Sequence, residues 1–151
     1  NETMHRGIDF ENAVNSACRT NKIDDDPCVN EIANKCKNGV WQVRLSGMIT
    51  KNIEIHGIAD VVTPTRIYDV KRVNQYSLGK YEYSIQHLVY MFCSNIEDFE
   101  YLICDGSSVF TEYYGWGENA KDKLLTRCNE LVDYLMSVPK FRTPFVENWR
   151  M

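Results

Sequence analysis

Between Val40 and Val73 the apolar residues recur at every second position, and the segments on either side recur at helical spacing. Trp41-Gln-Val-Arg-Leu45 alternates, Lys51-Asn52 marks a turn, and Ile53 to Val62 alternates again; Thr63-Pro-Thr65 turns the chain once more before Arg66 to Val73. Strands joined by connections this short can only run antiparallel, because a parallel pair needs a crossover of about a dozen residues or more. The stretch therefore predicts a three-stranded meander and excludes an all-helical fold.

Around it, Phe10, Ala13, Val14 and Ala17 predict a helix over about 8–20. Asp24-Asp-Asp-Pro27 is a helix start, with an acidic cap and proline in the first turn. The helix that follows would bury Val29, Ile32, Ala33 and Cys36 and end near Asn38-Gly39. Helix spacing returns over about 82–95, with Ile85, Leu88, Val89 and Phe92 as the core stripe. Tyr101 to Cys104 and Val109 to Tyr113 flank Asp105-Gly106, a strong hairpin signal. A last helix over about 119–138, burying Leu124, Cys128, Leu131, Val132 and Leu135, should stop before Pro139. The order αα-βββ-α-ββ-α describes a mixed α/β fold: a central mixed sheet of about five strands flanked by helices, with residues 1–151 forming one domain.

A chain of 151 residues, 44% apolar and 25% charged, can bury a core without a disulfide or metal staple. Its six cysteines include no C-x-x-C pair, so free thiols of a reducing compartment are expected rather than a zinc or iron–sulfur site. No run is long enough to span a bilayer, and the first residues carry no apolar signal core, so the expected location is cytoplasmic. A first residue other than methionine leaves open a piece of a longer chain. The net charge of −4 argues against a tight non-specific coat on DNA. It does not argue against a nuclease that neutralises its own acids with divalent cations.

The chemistry-bearing residues concentrate in the second and third strands. A turn centred on Pro64-Thr65 places Asp60 opposite Asp69, with Lys71 on the face of Asp69 and with Glu54 and His56 on the face of Asp60. The other face of the second strand, with Ile53, Ile55, Ala59 and Val61, is the expected core side. Facing carboxylates repel, more so when buried, unless a cation lies between them. Carboxylate oxygens suit magnesium, and a nearby lysine can position a water or neutralise charge on a reacting phosphate. The competing arrangement is a bulge that leaves one aspartate solvated, with Lys71 as its surface partner.

Gly57-Ile-Ala-Asp60, Asp69-Val-Lys71 and Gln86-His-Leu-Val-Tyr90, preceded by Arg6-Gly-Ile-Asp-Phe-Glu11, resemble the PD-(D/E)XK nuclease superfamily. The resemblance is to its RecB-like branch, which includes phage and CRISPR-associated exonucleases. The pattern there is a glutamate on the first helix, G-x-x-D on the second strand, D/E-x-K on the third and Q-x-x-x-Y on the next helix. The match spans residues 6–90 in that order. The resemblance implies a restriction-endonuclease-like core, with Glu11, Asp60, Asp69 and the Val70 carbonyl as ligands of Mg2+, and with Mn2+ able to replace it. It implies that Lys71 orients the attacking water and that Gln86 and Tyr90 support the site and touch the substrate strand. The implied activity is hydrolysis of DNA phosphodiesters leaving 5′-phosphates, by an exonuclease rather than an endonuclease. A structure-specific endonuclease and a non-catalytic nucleic-acid-binding relative are the alternatives; a homo-oligomer is compatible with all three.

Other residues have plainer roles. His56 is expected to be structural. Tyr113-Tyr-Gly-Trp116 could stack on bases, but closing the core edge is the preferred role.

Overall fold

The computed structural model describes residues 1–142 and 144, and the chain divides into two compact units, Asn1–Trp116 and a second beginning at Gly117. The first unit contains α1 (Glu2–Thr20), α2 (Pro27–Lys35), β1 (Val40–Thr50), β2 (Ile53–Val62), β3 (Ile67–Arg72), α3 (Gln86–Ser94), β4 (Asp98–Cys104) and β5 (Val109–Gly115). The strands form one sheet in sequence order, antiparallel throughout except for the parallel β3–β4 pair. Helix α3 makes the crossover which that parallel pair requires. This is a mixed α/β fold with a five-stranded mixed sheet flanked by helices, in the element order the sequence implies.

Helix α1 starts about six residues earlier than its apolar stripe predicts. Its cap is local: the Asn1 side chain accepts a hydrogen bond from Thr3 N at 3.0 Å. Met4 and Ile8 are exposed, so burial does not mark these first turns. The acidic cluster before α2 acts as a cap, with Asp26 Oδ1 accepting from Cys28 N at 2.9 Å and Pro27 opening the helix. At α3 the expected start near residue 82 is corrected to Gln86. The residues before it form turns, with Gly79 at φ 78 and hydrogen bonds from Lys80 N to Ser77 O and from Glu82 N to Gly79 O.

The buried side of α3 also differs from expectation. His87, Tyr90 and Met91 are buried, while Leu88 and Val89 pack half-buried beside them. Tyr90 therefore belongs to the core face rather than to a separate polar one.

Two apolar layers sandwich the sheet. On the α1/α2 side Phe10, Val14, Val29 and Ile32 meet Val61, Val70 and Leu102. On the α3 side Tyr90 and Met91 meet Ala59, Ile67, Phe99, Tyr101 and Ile103. Strands β3 and β4 are covered on both faces, as the central strands of such a sheet must be. By alternation, Asp69 and Lys71 point with Ile67 toward α3.

In the second unit, α4 (Ala120–Ser137) buries Ala120, Leu124 and Cys128. Leu131, expected in the core, is 58% exposed, and Val132 and Leu135 are half-buried. Periodicity marks the apolar face of a helix but not how far along it packing extends. Val138 is extended, as a residue before proline prefers to be. No disulfide joins any of the six cysteines, all of which lie among the described residues. No helix among the described residues is long and apolar enough to cross a membrane.

Candidate functional site

Strands β1 and β2 turn over together at one point. Trp41 pairs with Val61 and Val43 with Ala59, leaving Gln42 and Asp60 between those pairs. Residues two apart on a strand should share a face. Yet Ala59 packs in the α3 layer and Val61 in the α1/α2 layer; likewise Leu45 packs on the α3 side and Trp41 on the other. Gln42 takes φ 56, the left-handed region, which reverses the pleat there. This corrects the expected continuous core face through Ala59 and Val61. It also removes Asp60 from any regular face shared with Glu54 and His56.

Beside Asp60 the sheet opens. β2 and β3 pair at Val61↔Tyr68 and Val62↔Ile67, the register that the turn at Pro64-Thr65 implies, and the ladder stops one residue short of Asp60 and Asp69. In its place the Asp60 side chain reaches across and accepts the Val70 N–H through Oδ2 at 2.8 Å. Asp60 thus spans the gap between two strands that no longer pair.

Asp69 enters the opening from β3 and is 1% exposed. Lys71 Nζ lies 2.9 Å from Asp69 Oδ2 and donates to Gln86 Oε1 at 3.0 Å. That carboxylate oxygen is buried, with the ammonium as its ion-pair neighbour. Gln86 Nε2 continues the chain to Tyr90 OH at 3.3 Å. Gly57 seats that tyrosine: a Cβ there would lie 2.3 Å from Tyr90 Cε1. The glycine of G-x-x-D is needed here for close approach of α3 to β2.

Glu11 arrives from α1, on the opposite side of the sheet, and accepts a hydrogen bond from Gln42 Nε2 through Oε1. The three carboxylates then run in a chain, Glu11 against Asp60 and Asp60 against Asp69. Burial and the charge of Glu11 push Asp60 up to about 7, and burial and the charge of Asp60 push Asp69 up to about 7. Burial also raises Glu11. Among the described residues no three His, Cys, Asp or Glu side chains converge as a finished metal cage. What the opening holds is a crowded row of acids with one ammonium beside it.

Glu11, Asp60, Asp69, Lys71, Gln86 and Tyr90 are therefore brought together, and Val70 joins them through its N–H. His56 is not among them; its side chain is 65% exposed and faces Glu54 at 3.4 Å. Tyr114 and Trp116 pack against the α3-side core, while exposed Tyr113 bonds to Asp98 and lies under Arg66.

Three participants carry no signal in the sequence. Gln42 is one. Another is Glu112, buried on β5, which accepts hydrogen bonds from Tyr76 OH at 2.7 Å, Tyr114 OH at 2.6 Å and Tyr81 N at 3.1 Å. These bonds pin the segment between β3 and α3, so that the third, Tyr81, stacks on Tyr101 and sets its ring 5.7 Å from Lys71 Nζ. Only an unusual backbone angle betrays Gln42, and only tertiary contacts betray the other two.

Neither a protein-family model nor a curated protein sequence matches the chain. The crystal structure of SSO0001 superposes with a TM-score of 0.53 at 13% identity, over 63% of this chain and 50% of that one. That likeness is one of fold. The chain spans half the length of SSO0001, and identity this low transfers no residue roles. The crystal structure of an alkaline exonuclease, LHK-Exo from Laribacter hongkongensis, covers 91% of this chain and 74% of that one at 12% identity, but its TM-score of 0.45 is too low to argue from.

Proposed function

We propose that the chain is a magnesium-dependent nuclease acting on DNA, an exonuclease that leaves 5′-phosphates. One observation carries the proposal: an ammonium held 2.9 Å from a buried aspartate and 3.0 Å from a glutamine, at an opening in the sheet that two further carboxylates enter. The order of the Glu11, Gly57-to-Asp60, Asp69-to-Lys71 and Gln86-to-Tyr90 pieces supports the same reading, and the choice of exonuclease rests on that resemblance alone.

The donors fit a hard divalent cation. They are carboxylate oxygens, they crowd one another at the cost of raised pKa values, and Asp69 is buried among them with a single ammonium as counter-charge. Glu11, Asp60, Asp69 and the Val70 carbonyl would hold Mg2+, with Mn2+ as a substitute. Bound there, the ion would supply Lewis-acid polarisation of the phosphate and a more acidic water.

The chain's own residues would then do the following. Asp60, locked by the Val70 N–H, and Glu11, tied to Gln42, present fixed oxygens. Lys71 donates toward the attacking water or the charge that builds on the phosphate, from a position set by Asp69 and Gln86. Tyr90, seated on Gly57, keeps the far end of Gln86 in place.

The test compares linear and covalently closed circular DNA with Mg2+ and with chelator. Loss of the linear substrate alone, and only with Mg2+, is expected. Cutting of the closed circle would overturn the exonuclease assignment, and intact DNA and RNA with both Mg2+ and Mn2+ would overturn the catalytic one.

A further inference from the structure

We infer that Gln42 is a positioning residue for the third carboxylate: its strained backbone is retained because it aims an amide at Glu11. The inference rests on the nuclease reading above, since it assigns Glu11 its place in that site.

A non-glycine residue at φ 56 inside a strand, here the third residue of β1, is unfavourable, and for glutamine the conformation brings no local compensation of the kind asparagine or aspartate enjoys. Such positions persist where the surroundings over-determine them, and they cluster at working sites. Here one backbone angle has two consequences. It turns β1 over opposite Asp60, where β2 turns over as well, so both strands change faces without a slip in register. It also sends the Gln42 side chain toward α1, where Nε2 donates to Glu11 Oε1.

Glu11 has reason to need a holder. It comes from the helix layer on the opposite side of the sheet from Lys71, Gln86 and Tyr90, and beyond its hydrogen bond with Asp60 it faces the like charge of Asp69. Left alone, its carboxylate gains by swinging out to solvent. The Gln42 amide opposes this alongside the Asp60 carboxyl, and unlike that carboxyl it fixes a Glu11 oxygen without sharing a proton between two acids. A regular strand residue at this position would keep its alternating face and would not stand at the turnover.

The experiment measures Mn2+ affinity by calorimetry and Tm by thermal melting, for the whole chain and for Gln42→Gly and Gln42→Asn. Glycine accepts the left-handed angle freely, and asparagine adopts it readily but is one methylene too short to reach Glu11. Both variants should bind Mn2+ roughly 10–100-fold more weakly, the usual loss when a ligand's orienting partner is removed. Their Tm should hold or rise. In the Glu11→Gln background, Gln42→Gly should cost no further affinity, because the two residues act as a unit.

Unchanged Mn2+ affinity in both variants, with the unaltered chain binding normally, overturns this inference and leaves the nuclease reading standing. So does a fall in Tm in both variants, which would make Gln42 a scaffold residue. An unaltered chain that binds no Mn2+ overturns the metal reading and the inference together.

Discussion

The ring of Tyr90 fills the space that any side chain at Gly57 would need, with Cε1 2.3 Å from where a Cβ would stand. Strand β2 and helix α3 are therefore closer than two ordinary side-chain layers allow, and the tyrosine so seated accepts from the Gln86 amide whose oxygen accepts from Lys71.

Gly57→Ala should thus push Tyr90 aside and loosen Gln86. The overpacking should cost about 1–3 kcal/mol, seen as a fall in Tm of roughly 2–4 °C per kcal/mol. A companion Tyr90→Phe variant, which removes only the hydroxyl, should keep most of the stability. If Gly57→Ala melts like the unaltered chain, the close approach is not a constraint.

Removing the ammonium separates charge from packing. Lys71→Ala should lower kcat on DNA by roughly 10²–10³-fold, the range seen when one preorganised donor is lost, while the circular dichroism spectrum stays that of the parent. Lys71→Arg should recover little, since a planar fork does not replace a point charge held between Asp69 and Gln86. Full activity in Lys71→Ala would rule the residue out.

The acids should make the cation-free protein less stable as pH rises. Asp60 and Asp69 are pushed from 3.8 to about 7 in the fold, first by burial and then by a neighbouring charge, that of Glu11 on Asp60 and that of Asp60 on Asp69. A carboxyl whose folded pKa is raised favours the fold while protonated, so that stability is complete below about pH 4 and is lost as pH climbs through about 7. In chelator, Tm should fall between pH 5 and pH 8; Mg2+ should restore it at pH 8. Asp69→Asn should flatten the chelator curve and abolish cleavage. A chelator Tm that rises over this range would contradict the burial of the pair.

Glu112→Ala should free the segment that roofs Lys71. Burial pushes this carboxyl up, but the hydrogen bonds from Tyr114, Tyr76 and Tyr81 outweigh it and hold the pKa below its usual value. Losing the acceptor should cost on the order of 3 kcal/mol, with faster proteolysis of the segment between Arg72 and Gln86. Equal protease resistance would show that the three bonds do not anchor it.

Much of this was readable in the amino acids. Strand alternation, the Asp26-Pro27 start and Asp105-Gly106 gave the elements, and the turn at Pro64-Thr65 gave the register that leads to Asp60 and Asp69. What alternation missed is instructive. It assumes a constant pleat, so it ran Ala59 and Val61 along one face although the strand inverts between them. Apolar periodicity is silent where a helix is held by its cap, as at Asn1, and misleads where a tyrosine packs as core, as at Tyr90. Gln42 reaches Glu11, and Glu112 reaches Tyr76 and Tyr81, through contacts 31 and more residues apart, beyond any local pattern.

The opening between β2 and β3 has a consequence for how the site assembles in time. Two of its links are short in sequence: Asp60 to Val70 spans ten residues and Lys71 to Gln86 spans fifteen. The link from Gln42 to Glu11 spans thirty-one and needs α1 docked on the far layer. Short-range contacts form at little entropic cost, whereas distant ones wait for the chain to close. The half-site of Asp60, Asp69, Lys71 and Gln86 should therefore form first, with Glu11 the last member to arrive and the first to leave. Amide exchange should register α1 opening ahead of β3, an event that disarms the chain while the sheet remains intact.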